Sequence, residues 1–558
     1  MAGTSDPAQL TPLDHSGRLA PQWKLPKAAT CLAALVGCWA LLATAAQADG
    51  IDDAFAAFKP DAPGCTLGVA RERQPPLFRA YGSAELEHGV AITPETIFEA
   101  GSVSKQFTAA AILMLVADSK IGLEDDIRKY LPEMPSYGAP ITINHLLSHT
   151  SGLRDWGDVA AVGGWPRGTR AYSNLETLEI AARQASLNYP TGAAYSYTNT
   201  GFNLLAIIVS RVSGQSLADF TRDRLFKPLG MAHTQWRDDF TRVVPGRAEA
   251  YHPTADGQVL DMPFETAHGN GGLLTTVSDL LIWNEALTQG RLGPVVTTQL
   301  QQQATLTDGR RIEYARGLFI TTYHGLQEVS HGGATAGYRT WLGRFPSQGL
   351  SIAVLCNAGN ADAESLAHKV ADLYLPPAQP APPADQPTPA ADLTIRPGTY
   401  VSTGPPGILR IQADGDHLRL RNGPVLRRVG ADHYVVGPLD ITFRSADIVD
   451  VRGPDGEIEP SQRDDGAPPT LADYGALVGA YSSREANATV RLSVRNGQLT
   501  MVPSDRPSLA TALKPLFKDG YVADGVFVRV LRGKDGKVEG LRFQTGRAWN
   551  LVFQRGDP

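Results

Sequence analysis

The stretch Ala100-Gly-Ser102-Val-Ser-Lys105-Gln-Phe-Thr-Ala109 opens a long apolar helical run and holds the only lysine of the chain with a serine three residues before it. On a helix, positions i and i+3 share a face, so this spacing brings the lysine nitrogen within hydrogen-bond reach of the serine hydroxyl. A free lysine is protonated at neutral pH and cannot take a proton, but burial beside other cationic or donor groups lowers its pKa. A serine at the helix start also meets unpaired amides and the positive end of the dipole. Ser102 is thus a candidate nucleophile and Lys105 its candidate base. The same four-residue pattern arises by accident on surface helices, so its weight depends on what stands downstream.

Two downstream segments add to it. Tyr197-Thr-Asn199 follows a turn, Tyr189-Pro-Thr-Gly-Ala-Ala-Tyr-Ser, and enters an apolar helix. A phenol beside the lysine can carry protons, and an amide two residues on can hold the lysine or a substrate carbonyl. Tyr172-Ser-Asn174 repeats the spacing but enters a polar helix start, where Ser and Asn are ordinary caps. The second segment, Val329-Ser-His331-Gly-Gly333-Ala-Thr, contains the only His-x-Gly after residue 48. Glycines at a strand allow close backbone approach to a ligand, and the Ala334 amide can join that of Ser102 as an oxyanion donor.

In that order and spacing, Ser102-x-x-Lys105, Tyr197-x-Asn199 and His331-x-Gly333 resemble the three motifs of the penicillin-recognising serine hydrolases, in the class C β-lactamase-like branch. Ile143-Asn-His145-Leu-Leu-Ser-His149-Thr-Ser-Gly-Leu153, Leu225-Phe-Lys-Pro-Leu-Gly-Met231 and Gly271-Gly-Leu-Leu-Thr-Thr-Val-Ser-Asp279 are further segments of that kind. The resemblance covers roughly Gly64 to Leu375. It implies Ser102 as the acylated nucleophile, Lys105 and Tyr197 as the general base pair, Asn199 as a substrate-positioning group, and His331, Gly333 and Ala334 on the substrate-binding strand. It also implies that His145 and His149 are structural. The chain departs from the β-lactamases at His331, where those enzymes carry lysine; a histidine is largely neutral near pH 7, so it is a poor partner for a free carboxylate. In this branch histidine is usual among esterases, D-aminopeptidases and related peptidases.

The remaining sequence organises around this domain. At 558 residues two or three domains are expected. Lys24 and Lys27, an apolar stretch from about Ala28 to Ala45 and Ala46-Gln-Ala48 read as an export signal over residues 1–48. An uncleaved membrane anchor and lipidation at Cys38 are the alternatives, and all three put the folded part outside the cytoplasm. Residues 49–375 are the hydrolase domain. Cys65 and Cys356 lie in strand-like apolar segments, either as one disulfide or as two buried thiols; they have no zinc-like spacing. Residues 376–391 are a Pro/Ala linker of extended geometry. Beyond it, Gly398-Thr-Tyr400-Val-Ser402 and Gly479-Ala-Tyr481-Ser-Ser483 each start a run of short strands, predicting β domains at 392–470 and 471–558.

The predicted fold class is therefore α+β: a β-lactamase/transpeptidase-like antiparallel sheet flanked by helices, followed by two small antiparallel β-barrel (lipocalin-like) domains. This arrangement resembles the D-aminopeptidases of the branch. In those a loop of the last barrel reaches the active site, a segment that reads as shorter here, near Asp519 to Gly525. The functional expectation is an exported serine hydrolase forming an acyl-enzyme, a peptidase or amidase on small D-amino-acid peptides or amides. A carboxylesterase or lactonase, a slow penicillin-binding sensor, and a binding role for the β domains are the competing readings. A net charge of -6 without a basic run gives no support to nucleic-acid binding. No metal or cofactor is expected, the expected partner is a small molecule or short peptide, and any membrane contact runs through the leader. The oligomeric state is left open.

Overall fold

Six strands, β1 (Cys65–Arg71), β2 (Leu77–Tyr81), β3 (Phe319–Tyr323), β4 (Leu326–Thr335), β5 (Tyr338–Phe345) and β6 (Leu350–Cys356), form an antiparallel sheet in the order β3-β4-β5-β6-β1-β2. The chain, seen here in a computed structural model, is described at residues 50–377, 386–402, 407–421, 423–437, 439–453, 458–467 and 469–556. The leader and residues 378–385 of the Pro/Ala tract lie outside the described residues. Within the sheet, β1 and β6 are central and pair in full register from Cys65↔Cys356 to Arg71↔Leu350. Their near-continuous apolar sequences reflect burial on both faces. The facing cysteines are joined by a disulfide, which decides between the two states the sequence left open.

Helices inserted between the two ends of the sheet carry the rest of the domain. We number five: α1 (Lys105–Ala117), α2 (Trp156–Val162), α3 (Asn199–Ser213), α4 (Val277–Thr288) and α5 (Ala363–Asp372). Every residue of α1 from Lys105 to Leu115 is buried. Such a helix has no solvent face, and Ala109-Ala-Ala111 lets neighbours approach it from the side an amphipathic helix would expose. α3 is capped at its start by the Thr198 hydroxyl, which accepts from the Thr200 amide, and stops at Gly214, whose left-handed backbone favours glycine. α4 and α5 pack against β6. Among the described residues no helix is long and apolar enough to cross a membrane.

After the linker, residues Ala390–Ile395 form a short helix, so the tract's last two alanines are helical where extended geometry was expected. An eight-stranded closed barrel follows, from Gly398–Val401 to Ile458–Arg463. The second β unit is a nine-stranded sheet whose edge strands, Thr511–Ala512 and Lys514–Phe517, are separated only by Leu513. Its two ends therefore lie together, leaving a barrel open at one seam. The repeat seen in sequence has a physical cause: Tyr400 and Tyr481 are both fully buried, and each hydroxyl donates to the carbonyl four residues earlier, Arg396 and Leu477, both at 2.8 Å. The two units differ in attachment. Tyr400, Leu418, Tyr434 and Phe443 close a core of their own in the first barrel, whereas Tyr481, Phe543 and Leu551 of the second pack into one cluster with Trp156 and Val159 of α2.

The disulfide ties strands from opposite ends of the hydrolase domain, across 291 residues. Replacing both cysteines with alanine is expected to cost about 2–5 kcal/mol, read as a lower midpoint in denaturant unfolding; an unchanged midpoint would show that the bridge adds nothing to stability.

Candidate active site

Ser102 sits in a single 3-10 turn, Gly101–Ser104, that runs directly into α1. The turn is pinned from behind. The Ala100 amide donates to the Leu273 carbonyl at 2.7 Å, and the Ser104 hydroxyl donates to the Gly101 carbonyl at 2.5 Å while accepting from the Leu273 amide at 3.1 Å. The Gly271-Gly-Leu-Leu segment thus holds the turn that presents the serine.

Lys105 is fully buried, and its Nζ has three oxygen neighbours: Ser102 Oγ at 3.1 Å, Asn199 Oδ1 at 3.0 Å and the Asn270 carbonyl at 2.7 Å. Burial, reinforced by the positive field of Arg547, holds its pKa well below the ordinary ammonium value. Burial favours the neutral amine, and in that form the partners decide where its hydrogens go. A neutral amine has two hydrogens and one lone pair, and two of the three neighbours can only accept. The hydrogens go to Asn199 and Asn270, and the lone pair is left for the one neighbour able to donate, the Ser102 hydroxyl.

The Tyr197 ring lies 4.7 Å from Lys105 Nζ, and its buried hydroxyl adjoins Ser102. Burial raises the phenol's pKa, against the opposing pull of the adjoining Ser102 hydroxyl and Arg547. Of the two predicted base residues, burial thus favours the phenol at Tyr197 and the neutral amine, with its free lone pair, at Lys105. His149 stacks on the Tyr197 ring at 4.3 Å between centroids and receives the Thr198 amide at Nδ1, 3.3 Å away. Burial, with Lys105 nearby, keeps its imidazole neutral. His145, by contrast, belongs to the capping box of Thr142. Both histidines are structural, but His149 positions the phenol. The repeat motif at Tyr172 is the cap its sequence suggested, with Ser173 and Glu176 forming a capping box.

His331 donates from Nδ1 to the Gly332 carbonyl at 2.6 Å, which fixes the tautomer and leaves Nε2 to accept from the Tyr314 hydroxyl at 3.2 Å. Burial and the neighbouring Lys105 push its pKa down to about 3. It is neutral at any physiological pH, and both nitrogens are engaged within the fold. Gly333 has a steric reason: a Cβ there would stand 2.2 Å from the Ala100 carbonyl and 2.2 Å from Thr340 Oγ1. Across from it, a Cβ on Gly101 would lie 2.7 Å from the Ala334 amide nitrogen. Glycine at both positions lets the Ser102 turn and β4 meet closely enough for the Ser102 and Ala334 amides to serve one oxygen.

A cavity of about 720 Å³ opens over these groups, lined by Ser102, Tyr197, Asn199, His331 and Ala334 together with Arg547 from the second β unit. All seven predicted residues are thus brought into one site. Sequence reasoning missed Asn270, the acceptor at Lys105; Asp155, which caps α2 and accepts the Asn199 amide at 2.6 Å; and Arg547. The second-unit segment that reaches the cavity is Thr545–Asn550, not the region near Asp519 to Gly525, whose Gly520–Ala523 lies within a strand.

The Beta-lactamase family model matches residues 48–375. Among curated relatives, a D-aminopeptidase of Gluconobacter oxydans (strain 621H) is 26% identical over 522 residues, covering 88% of this chain and 96% of its own. Among solved structures, the octameric penicillin-binding protein homologue from Pyrococcus abyssi aligns with a TM-score of 0.53 at 20% identity, over 83% of this chain and 99% of that one. A D-amino acid amidase from Ochrobactrum anthropi SV3 aligns with a TM-score of 0.51 at 21% identity, over 59% of this chain and 97% of its own. The two structural likenesses show the fold.

Two outcomes are expected. Labelling of Ser102 by a fluorophosphonate, followed by intact mass, should accelerate with pH through a midpoint well below 10.5, because only neutral Lys105 can take the serine proton; a midpoint near 10.5 would contradict this. Gly333→Ala should slow labelling at least about a hundredfold by displacing the amides that meet the reacting oxygen, whereas labelling at the parent rate would show that the close approach is dispensable.

Proposed function

The chain belongs to the beta-lactamase family, and from that premise we propose that it is an exported serine hydrolase cleaving amides or short peptides of D-amino acids through an acyl-enzyme on Ser102. The observation that carries the chemistry is the placement of the buried Lys105 Nζ, 3.1 Å from Ser102 Oγ and otherwise against two acceptor-only neighbours. Ser102 Oγ attacks the scissile carbonyl carbon while its proton passes to Lys105 Nζ. The carbonyl oxygen gains the charge and takes hydrogen bonds from the Ser102 and Ala334 amides. Collapse breaks the C–N bond as the proton moves through the Tyr197 phenol to the departing amine. Water then attacks the ester, giving its proton back along the same path, and the acid leaves with Ser102 restored.

The preference for D-amino-acid amides or peptides is supported by the relative named D-aminopeptidase, which this chain matches along 96% of its length. Neutral His331 fits it as well, since the position where the β-lactamases carry lysine then adds no charge. Export is supported by the Cys65–Cys356 bridge, because disulfides persist in oxidising compartments.

The purified protein is expected to release amine from D-alaninamide and D-phenylalaninamide faster than from the L forms, and Ser102→Ala should lower that rate at least about a thousandfold. Turnover of simple esters with no turnover of any amide would replace this reading with an esterase.

A further inference from the structure

The loop Thr545–Asn550 of the second β unit is fastened to the hydrolase domain mainly through its backbone. The Arg547 carbonyl accepts from the Asp155 amide at 3.0 Å and from Asn188 Nδ2 at 3.1 Å, and the Arg547 amide donates to Asp158 Oδ2 at 3.1 Å. Alongside, Arg154 Nε donates to the Trp549 carbonyl and Thr545 Oγ1 to Asp158 Oδ2. Asp155 also holds the Asn199 amide, so the loop is located against the catalytic residues by the residue that positions one of them.

The side chain this fastening presents is a cation. Arg547 Cζ lies 5.0 Å from the centroid of the Tyr197 ring, and the residue is exposed in the cavity that holds Ser102. Two other arginines line the same cavity and are already engaged: Arg167 is paired with Glu265, and Arg339 donates to the carbonyls of Ala336 and Tyr338. The Arg547 guanidinium has no carboxylate or carbonyl partner among the described residues. Its place beside Tyr197, the phenol that hands a proton to the departing nitrogen, puts it on the leaving-group side. His331 is neutral and adds no cation there; the carboxylate that β4 brings to the cavity, Glu328, is paired with His368.

We propose that Arg547 is the subsite for a carboxylate on the leaving portion of the substrate, so that short peptides with a free C-terminal carboxylate are taken in preference to the corresponding amides. A planar guanidinium with five donors matches a carboxylate bidentately. The proposal rests on the amidase reading and narrows it, and it makes the second β unit part of the active site.

The test compares D-Ala-D-Ala with D-Ala-D-Ala-amide as substrates of the full-length exported protein, and N-acetyl-D-alanine with N-acetyl-D-alaninamide as protectants of Ser102 against fluorophosphonate labelling. The parent should favour the acid in both assays. Arg547→Ala should lower the acid-to-amide ratio of kcat/KM about tenfold to a hundredfold, chiefly through KM, and Arg547→Lys should restore part of it. An acid-to-amide ratio unchanged by Arg547→Ala, in cleavage or in protection, overturns the subsite. Selective protection by the acid that is lost in Arg547→Ala, with neither peptide cleaved, upholds the subsite and removes the amidase reading instead.

Discussion

A lysine buried beside the serine without a carboxylate partner among the described residues is the constraint on which this site is built. An ammonium taken from water without a counter-ion is costly, and that cost shifts Lys105 toward the uncharged amine. Among the described residues no carboxylate pairs with it; its neighbours are an amide oxygen, a carbonyl and a hydroxyl. A carboxylate at any of those places would restore the charge and remove the base. The sealed environment of α1, buried from Lys105 through Leu115, serves this end as much as it serves packing.

The same economy of charge shapes the surroundings. His149 and His331 are both neutral by burial and by proximity to Lys105, and both hold aromatic neighbours: His149 the ring of Tyr197, His331 the hydroxyl of Tyr314. Arg547 brings a cation to the cavity from outside the sheet, and its field also lowers the pKa of Lys105. The two C-terminal β units are therefore unequal. The first closes on its own core, while the second shares a core cluster with α2 and sends a loop to the cavity. The Asp155 side chain, capping α2 and holding Asn199, links that docking to the catalytic geometry.

Much of this was legible from sequence because the motifs are local and their spacing is dictated by backbone periodicity. Ser102 and Lys105 share one turn, Tyr197 and Asn199 flank one helix start, and Gly333 answers a steric demand that no other residue meets. The strands that hold Cys65 and Cys356 were legible too, since apolar runs read plainly. What escaped was contact between distant segments. Asn270 acts through its carbonyl, which side-chain identity does not betray. Arg547 stands in a Thr-Gly-Arg turn like many solvent-exposed turns, and only the docking of the second β unit against Arg154, Asp155 and Asp158 gives it a role. The cysteines were left undecided because facing register, Cys65↔Cys356, is a property of the assembled sheet.

The central claim is that Lys105 is an amine, not an ammonium, in the resting protein. Titration of Lys105 by NMR of protein labelled with lysine at Cε and Nζ, assigned by the signal missing in Lys105→Arg, tests it directly. The account predicts one lysine titrating well below 10.5, apart from the others. A Lys105 signal that titrates with the exposed lysines would contradict it and leave Ser102 without its base.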